Sequence, residues 1–361
     1  MESNINNMEN NNQESVLLGM SGGVDSSVSA LLLKEAGYKV VGLTMSLWDG
    51  GACCNLDSML DAKKICNKIN IEHYTLDFKS EFKDKVIDDF ICEYKKCRTP
   101  NPCIRCNRYL KFGTMYEKAK EMGIDKIATG HYAKVEYSEK YKRNVLKKAR
   151  NLAKDQSYVL YVIPKEMLDK VIFPLGDYES KDEIRKIAKE NGFMVANKPD
   201  SEDICFIPDG DYKKFLEENS DIKPKEGNIV DVNGKVLGKH TGLYKYTIGQ
   251  RKGLGISNPV PLFVIGYNIE KNELIVGEED KLYQEEMLVR DINLQAVDLV
   301  EGEMRVSVKT RYSHKEALAT ITMQDENTIK VKFDEKQPRI TSGQSAVFYD
   351  GDIVIGGGII C

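Results

Sequence analysis

The sequence predicts an α/β fold: an N-terminal Rossmann-like parallel sheet, followed by a small β-rich central domain and a C-terminal antiparallel β-barrel. First, an apolar run at 16–18 leads into a Ser/Gly-rich turn and then a helical segment, the order of a βαβ unit. Second, another apolar run at 39–45 follows that helix, so the two strands are expected to be parallel. Third, after about residue 208 the sequence is dominated by glycine, asparagine and β-forming runs, and alternating runs at 305–309 and 328–333 indicate antiparallel strands.

The 361 residues are expected to form three folded domains behind a disordered tail. The tail is polar and rich in asparagine and has no apolar core, so we do not expect a signal peptide. The predicted boundaries are 1–14 for the tail, 15–208 for the α/β domain, 209–278 for the central domain and 279–361 for the barrel.

The composition is typical of an ordinary soluble protein. A net charge of −4 argues against a globally basic nucleic-acid binder but leaves room for local basic patches. No apolar run approaches the length of a membrane span, so no membrane partner is expected. Nine cysteines, an odd number without a secretion signal, predict a reducing cytoplasmic location. A cysteine pair that matters is then expected to be catalytic or metal-binding.

The turn after the first strand reads S-G-G-V-D-S-S from Ser21 to Ser27. A glycine turn at a helix N-terminus presents backbone N–H groups and the positive end of the helix dipole to an anion, and serine hydroxyls add donors. The turn has neither the lysine of a G-x-x-x-x-G-K-S/T loop nor a G-x-G-x-x-G spacing. Two glycines alone indicate only a tight turn. The whole run resembles the pyrophosphate-binding loop of ATP pyrophosphatases, which cut ATP between the α and β phosphates.

A second informative stretch places Cys103 and Cys106 at the start of a helix that runs to about Met122. The helix N-terminus and the neighbouring Arg105, Arg108 and Lys111 should favour thiolates and lower the pKa of both cysteines. Half of a structural zinc site is the alternative. A closed zinc site needs four ligands, however, and the sequence has no second C-x-x-C or H-x-x-x-H.

Four isolated residues lie where a site is expected, although each alone is more often structural. Met45 ends the second strand, and ligands of open α/β sheets bind at the carboxyl ends of strands. Gly130 ends a later strand and would let a nucleotide approach closely, and His131 follows it. Cys205 lies where a polar loop enters a short strand.

From the end of the tail onward, the chain resembles the bacterial tRNA-specific 2-thiouridylase family, whose members make 2-thiouridine at the wobble position of certain tRNAs. The most specific motif is G-L-Y-K-Y-T-I-G-Q-R-K-G-L-G-I from Gly242 to Ile256, which by itself indicates only glycine-rich β-structure. The other motifs are S-G-G-V-D-S-S, T-P-N-P-x-x-x-C-N with Cys106, T-G-H-Y-A, K-D-Q-S-Y, D-I-C-F-I with Cys205, and S-G-Q-S-A-V-F-Y-D-G-D-I-V-I-G-G-G.

The resemblance implies that ATP, with Mg²⁺ bridging its phosphates, adenylates C2 of the wobble uridine before sulfur attacks and AMP leaves. Cys205 would carry a persulfide, and Cys106 would attack it as the nucleophile and leave a Cys106–Cys205 disulfide. The implied ATP-binding residues are Gly19, Met20, Ser21, Gly22, Gly23, Val24, Asp25, Ser26, Met45 and Gly130. The implied tRNA-binding residues are Asn101, Pro102 and Cys103 at the target base, and His131, Lys154, Asp155, Gln156, Arg311, Tyr312 and Gln344.

The resemblance also implies the partners. The unpaired bases of a tRNA anticodon loop would enter the site, and the barrel would contact the tRNA. A cysteine desulfurase or a sulfur-relay protein would donate the persulfide.

The sequence departs from the family pattern at Cys103, where many members have aspartate, and at Glu202, where glutamine is expected. Cys103, Cys106 and Cys205 together would supply the three thiolates of an iron–sulfur cluster with one open iron, as in some related tRNA thiolases. We therefore expect either a persulfide relay or a 4Fe–4S cluster, with a slight preference for the cluster.

Two other function classes are kept as alternatives. One is a different AMP-forming transferase with the same loop, which would lack paired reactive cysteines. The other is a non-catalytic tRNA-binding module with structural cysteines, which would not turn over ATP.

Overall fold

The computed structural model describes residues 13–49, 56–199 and 204–361. Most of the predicted tail and Glu202 lie outside the described residues. The helices are α1 (Val24–Glu35), α2 (Leu56–Lys68), α3 (Lys79–Phe82), α4 (Asp88–Lys95), α5 (Pro102–Cys106), α6 (Met115–Glu121), α7 (Ser157–Leu160), α8 (Lys181–Glu190) and α9 (Tyr212–Asn219).

The strands of the α/β domain are β1 (Ser15–Gly19), β2 (Lys39–Ser46), β3 (Glu72–Asp77), β4 (Lys126–Ala128), β5 (Ala133–Ser138), β6 (Arg143–Lys148) and β7 (Val171–Ile172). The central domain has β8 (Gly227–Val230), β9 (Val236–His240), β10 (Phe263–Asn268) and β11 (Glu273–Gly277). The barrel has β12 (Tyr283–Leu294), β13 (Met304–Lys309), β14 (Ala317–Asp325), β15 (Thr328–Pro338), β16 (Ser345–Asp350) and β17 (Ile353–Ile360).

The first sheet is parallel throughout, with strand order β3-β2-β1-β4-β7. Side chains alternate between its faces, so Val16 and Leu18 pack with α1, α2 and α8, whereas Leu17 packs with α4, α5 and α6. Burial on both faces explains the continuous apolar runs, and the predicted parallel sheet is confirmed. The strand order reverses between β1 and β4, so the glycine turn after β1 lies at the switch point where open α/β sheets bind ligands.

Two helices on the second face contain π segments. Lys83–Ile87 joins α3 to α4, and Asn107–Thr114 joins α5 to α6. The second segment begins directly after Cys106. Because π segments occur often at functional sites, its position supports a functional role for this part of the helix, beside a predicted reactive cysteine.

The two predicted β-rich regions are confirmed. The central sheet has the order β10-β11-β8-β9 around a small apolar core that includes Ile229 and Val264. In the barrel, the order β12-β15-β14-β13-β16-β17 is closed by pairing of β17 with β12, which leaves the six-stranded ring without a free edge.

The α/β domain also reaches into the barrel. The hairpin β5–β6 continues the barrel sheet through one pair, Ile353 with Lys147. The loop before α5, residues 98–101, is called the proline loop because it contains Pro100. A barrel loop lies on it, because the Thr99 N–H donates to the Ser342 carbonyl at 3.0 Å. Among the described residues, the helices are all too short or too polar to cross a membrane.

Candidate active site

The turn between β1 and α1 is held largely by its own serines. Ser26 Oγ accepts the N–H of Ser21 at 3.2 Å and donates to the carbonyl of Gly23 at 3.2 Å. Ser27 is fully buried and donates to the same carbonyl at 2.8 Å, so it supports the loop rather than a ligand. Gly23 has no side chain to cap α1, and the first N–H groups of a helix lack intrahelical partners, so these groups can receive an anion.

Two glycines let this loop lie close to its neighbours. Gly22 has a φ of +70°, and a Cβ there would lie 2.1 Å from the carbonyl oxygen of Ser58 on α2. A Cβ on Gly130 would lie 3.0 Å from backbone atoms of Asp25 and Ser26. The end of β4 therefore lies against the glycine loop.

Gly22→Ala should abolish ATP binding, because the methyl group would collide with the α2 backbone and force the loop out of shape. Gly123→Ala is a matched control: its φ is +69°, but no atom lies within 4 Å of the added Cβ. The control should lose only about 1–2 kcal/mol of stability, the cost of a left-handed alanine. Thermal denaturation and ATP binding by calorimetry measure both effects, and equal ATP affinity of the two variants would contradict the expectation.

The Asp25 carboxylate is held by residues that the sequence analysis did not select. Lys181, at the start of α8, donates to its two oxygens at 2.6 and 2.5 Å. The Tyr132 hydroxyl donates to Oδ1 at 2.7 Å, and Lys198 donates to the carbonyl of Gly22 at 3.2 Å. No sequence spacing signals these contacts, because the partners lie 107 to 176 positions apart.

Cys103 and Cys106 lie on the short helix α5, which begins at Pro102 and is capped by Asn101. The Asn101 Oδ1 accepts the N–H of Cys103 at 3.1 Å. Cys103 is exposed, whereas Cys106 is buried in the apolar cluster on the second face of the sheet. The two thiols therefore have different surroundings although they are three residues apart.

The three cations predicted to polarise these cysteines contact other side chains. Arg105 donates to Asp89 Oδ2 at 3.0 Å, and Arg108 donates to Asp291 Oδ2 at 2.8 Å. Lys111 contacts His131 Nε2 at 3.4 Å. Burial, assisted by the Lys111 charge, lowers the pKa of His131 well below 6.5, so this histidine is neutral. His131 is only 9% exposed, and its predicted tRNA contact stays a prediction.

Helix α4 connects the surroundings of the two predicted catalytic cysteines. Phe206, which follows Cys205, packs edge-on against Phe90 of α4 with ring centroids 5.4 Å apart. Asp89 accepts its hydrogen bond from the arginine that precedes Cys106. Adjacent residues of α4 thus contact the immediate neighbours of both cysteines, and both cysteines pack in or against the same apolar cluster.

The grouping of side chains in the structure bears on the iron–sulfur ligand set that the sequence suggests. Within the parts of the chain that the structure describes, no three His, Cys, Asp or Glu side chains are grouped so as to hold a metal ion. Cys103 is exposed and Cys106 is buried, so the two thiols differ in their access to solvent. Iron–sulfur ligation by Cys103, Cys106 and Cys205 stays a prediction.

Two of the predicted tRNA-binding residues support the backbone instead of projecting from it. Asp155 is buried, its carboxylate accepts the Ser157 hydroxyl at 2.7 Å, and burial raises its pKa. The side-chain oxygen of Gln156 accepts the Tyr132 N–H at 2.9 Å. Lys154, beside them, is half-buried.

Tyr312 brings the barrel to Cys103 and to the segment that contains Lys154. Its hydroxyl donates to the carbonyl of Asp155 at 3.1 Å. Burial raises the pKa of Tyr312, the charges of Asp155 and Cys103 raise it further, and Lys154 lowers it. Tyr312 therefore contacts the segment that contains Lys154 and is influenced by the charge of Cys103, so residues predicted from three stretches of the chain act on one another.

The other predicted barrel residues contact protein groups. Gln344 donates to the carbonyl of Thr99 at 2.7 Å, which ties the barrel to the proline loop. Arg311 donates to the Thr341 hydroxyl, and burial lowers the pKa of its guanidinium. Outside the barrel, Met45 of β2 is half-buried and packs against the apolar cluster that contains Cys106. The ligand contacts of these residues stay predictions.

The glycine loop at the switch point of a parallel sheet, followed by two β-domains, defines the class of protein: an α/β domain of the nucleotide-binding type with two β-domains attached. Residues 14–209 match a family model described as a tRNA methyl transferase HUP domain. Residues 213–278 match a tRNA methyl transferase PRC-barrel domain, and residues 284–360 match an aminomethyltransferase beta-barrel domain.

Nearly full-length relatives are more specific. The chain is 50% identical over 352 residues to the tRNA-specific 2-thiouridylase MnmA of Clostridioides difficile, covering 96% of this chain and 97% of that protein. It is 48% identical over 357 residues to the tRNA-specific 2-thiouridylase MnmA of Acetivibrio thermocellus, covering 96% and 99%. The chain belongs to the tRNA-specific 2-thiouridylase family.

Solved structures show only a distant likeness. The U34-tRNA thiolase NcsA from Methanococcus maripaludis with its 4Fe–4S cluster has a TM-score of 0.36 and 20% identity, over 57% of this chain and 66% of that one. A 4-thiouridine synthetase–RNA complex with bound ATP has a TM-score of 0.37 and 18% identity, over 57% and 50%. Likeness at this level carries no argument about ligands or chemistry.

Proposed function

We propose that this protein is a tRNA-specific 2-thiouridylase, an ATP-dependent sulfurtransferase that acts on the wobble uridine, U34. The observation that carries the proposal is the meeting of the Cys106 and Cys205 surroundings on α4. The helical run that carries Cys106 also reaches the end of β1, just before the glycine loop, since the sulfur of Met115 lies 3.5 Å from where a Cβ on Gly19 would be. This contact supports a site shared by the nucleotide and the thiols.

The reaction begins with adenylation, because the C2 carbonyl of uracil is a poor electrophile with a poor leaving group. The C2 oxygen attacks the α-phosphorus of ATP, and pyrophosphate leaves. The N–H groups at the start of α1 bind the departing phosphates, and the Asp25 carboxylate is the group that would hold Mg²⁺. The metal supplies charge neutralisation at the phosphates when bound.

Sulfur then replaces the activated oxygen. Cys205 carries a persulfide, and the Cys106 thiolate attacks its inner sulfur. The outer sulfur leaves as hydrosulfide, a Cys106–Cys205 disulfide forms, and hydrosulfide attacks C2 as AMP departs. A thiol reductant resets the disulfide, and a cysteine desulfurase or relay protein in the cytoplasm reloads Cys205.

The tRNA-binding surface is proposed to include Lys154, Tyr312 and the Asn101–Cys103 segment. In support, Tyr312 donates to the carbonyl of Asp155, next to Lys154, and the charges of Lys154 and Cys103 both act on its hydroxyl. Lysine contacts to phosphate should make the affinity fall with salt despite the net charge of −4. Domain roles follow from this: residues 15–208 activate the base, and residues 279–361 help to hold the tRNA.

Cys103→Ala should keep most of the thiolation activity, because the proposed relay uses only Cys106 and Cys205. A cluster mechanism would make Cys103→Ala as damaging as Cys106→Ala and would require iron. Thiolation by iron-free protein with a persulfide donor measures this directly. Two results together would establish the cluster: Cys103→Ala loses its activity, and the iron-free wild type thiolates tRNA only after iron is added.

The proposed function is tested with purified protein, ATP, unmodified tRNA and a persulfide donor, followed by mass analysis of the nucleosides. 2-Thiouridine at U34 should appear with AMP and pyrophosphate. ADP and phosphate as products would refute the adenylation step. ATP turnover without thiolation would favour a different AMP-forming transferase, and no turnover would favour a tRNA-binding module.

A further inference from the structure

Lys181 occupies a position where helices disfavour a cation. It is the first residue of α8, directly after the capping residue Ser180. The positive end of the helix dipole repels a lysine there and favours the acidic residues that follow it, Asp182 and Glu183. A residue that breaks a local preference requires compensation from elsewhere in the structure.

The compensation comes from the glycine loop. Lys181 Nζ lies 2.6 and 2.5 Å from the two carboxylate oxygens of Asp25, and it lies 5.7 Å from the centre of the Tyr132 ring. The side chain of Lys181 is only 12% exposed, whereas that of Asp25 is 31% exposed. Asp25, which belongs to the glycine loop, is thus the more exposed residue of the pair.

The loop needs a cation for two reasons. Its own sequence contains no lysine or arginine, unlike the P-loop, whose lysine reaches the phosphates. It also contains the Asp25 carboxylate, which would repel the phosphates of ATP unless it were neutralised. A lysine has three donors on a flexible stem, so one ammonium can contact a carboxylate and a phosphate at once.

We propose that Lys181 is a phosphate-binding residue of the nucleotide site, supplying from α8 the cation that the glycine loop lacks. Without nucleotide it neutralises Asp25; with nucleotide it donates to a phosphate oxygen of ATP. The inference rests on the proposed ATP-dependent function and adds a residue to that site.

The test measures ATP affinity by calorimetry in EDTA, so that no metal ion contributes. Lys181→Ala and Lys181→Gln should each bind ATP roughly 10-fold or more weakly, the loss typical of one charge-assisted hydrogen bond. Lys181→Arg should recover part of the affinity. The matched control is Lys186→Ala on the same helix, whose side chain is 75% exposed and pairs with Glu190, and it should bind ATP like the wild type.

Repeating the Lys181 substitution in Asp25→Asn protein separates phosphate binding from neutralisation of Asp25. In Asp25→Asn the carboxylate charge is gone, and Lys181→Ala should still weaken ATP binding by a similar factor. If the Lys181 effect vanishes in that background, Lys181 only neutralises Asp25 and the proposal is overturned. Unchanged ATP affinity of Lys181→Gln in the wild-type background would also overturn it. If the wild type and Lys186→Ala fail to bind ATP, the proposed function itself fails.

Discussion

Replacing Cys106 with alanine should reduce tRNA thiolation by roughly 10³-fold or more, because it removes the proposed nucleophile that releases sulfur from the persulfide. Cys205→Ala should cause a similar loss, because the persulfide then has no carrier. Neither substitution removes a group from the glycine loop, so ATP affinity should stay close to that of the wild type. The measurement is 2-thiouridine per tRNA after a fixed reaction time.

The matched control is Cys92→Ala, which removes an exposed thiol from α4, the helix that connects the two cysteine surroundings. It should thiolate tRNA at the wild-type rate. Added hydrosulfide should partly rescue both Cys106→Ala and Cys205→Ala, since it bypasses sulfur delivery and needs only the adenylated base. Full activity of Cys106→Ala with a persulfide donor would contradict the relay.

Asp25→Asn should lower the rate of AMP formation by roughly 10²-fold or more, because it removes the carboxylate proposed to hold Mg²⁺ at the phosphates. The side chain keeps its size, so the contact with Tyr132 and the shape of the loop should survive. AMP and pyrophosphate are measured by chromatography, and tRNA affinity by filter binding. The tRNA affinity should be unchanged, because the proposed tRNA contacts lie elsewhere.

Asp125→Asn is the control for this prediction. Asp125 is an exposed carboxylate just before β4, at the end of the sheet opposite the glycine loop. It should form AMP at the wild-type rate. AMP formation by Asp25→Asn at that same rate would show that the loop carboxylate has no part in activating the base.

The parallel sheet could be predicted because strands buried on both faces leave continuous apolar runs, as in β1 and β2. The barrel could be predicted from alternation in β13 and β15. The joining of β6 to β17 could not, because it depends on a contact between distant parts of the chain. Local periodicity contains no information about such contacts.

The glycine loop could be selected as a candidate nucleotide site because its donors are consecutive in sequence. Lys181 could not, since it reaches Asp25 from 156 residues away. Burial also separates residues that the sequence grouped together: Lys154 is half-buried, whereas Asp155 next to it is buried and holds the backbone. Chemical type and position in a motif do not determine which way a side chain points.

The central claim, that ATP activates the C2 oxygen of the wobble uridine, is tested most directly by following that oxygen. An anticodon stem-loop RNA is prepared with ¹⁸O at C2 of U34 and is thiolated by the protein with ATP and a persulfide donor. If the C2 oxygen attacks the α-phosphorus, the label must leave with AMP, and AMP should be 2 Da heavier in amounts equal to the 2-thiouridine formed. Unlabelled AMP alongside 2-thiouridine would contradict the account, because the oxygen would then have left by another route.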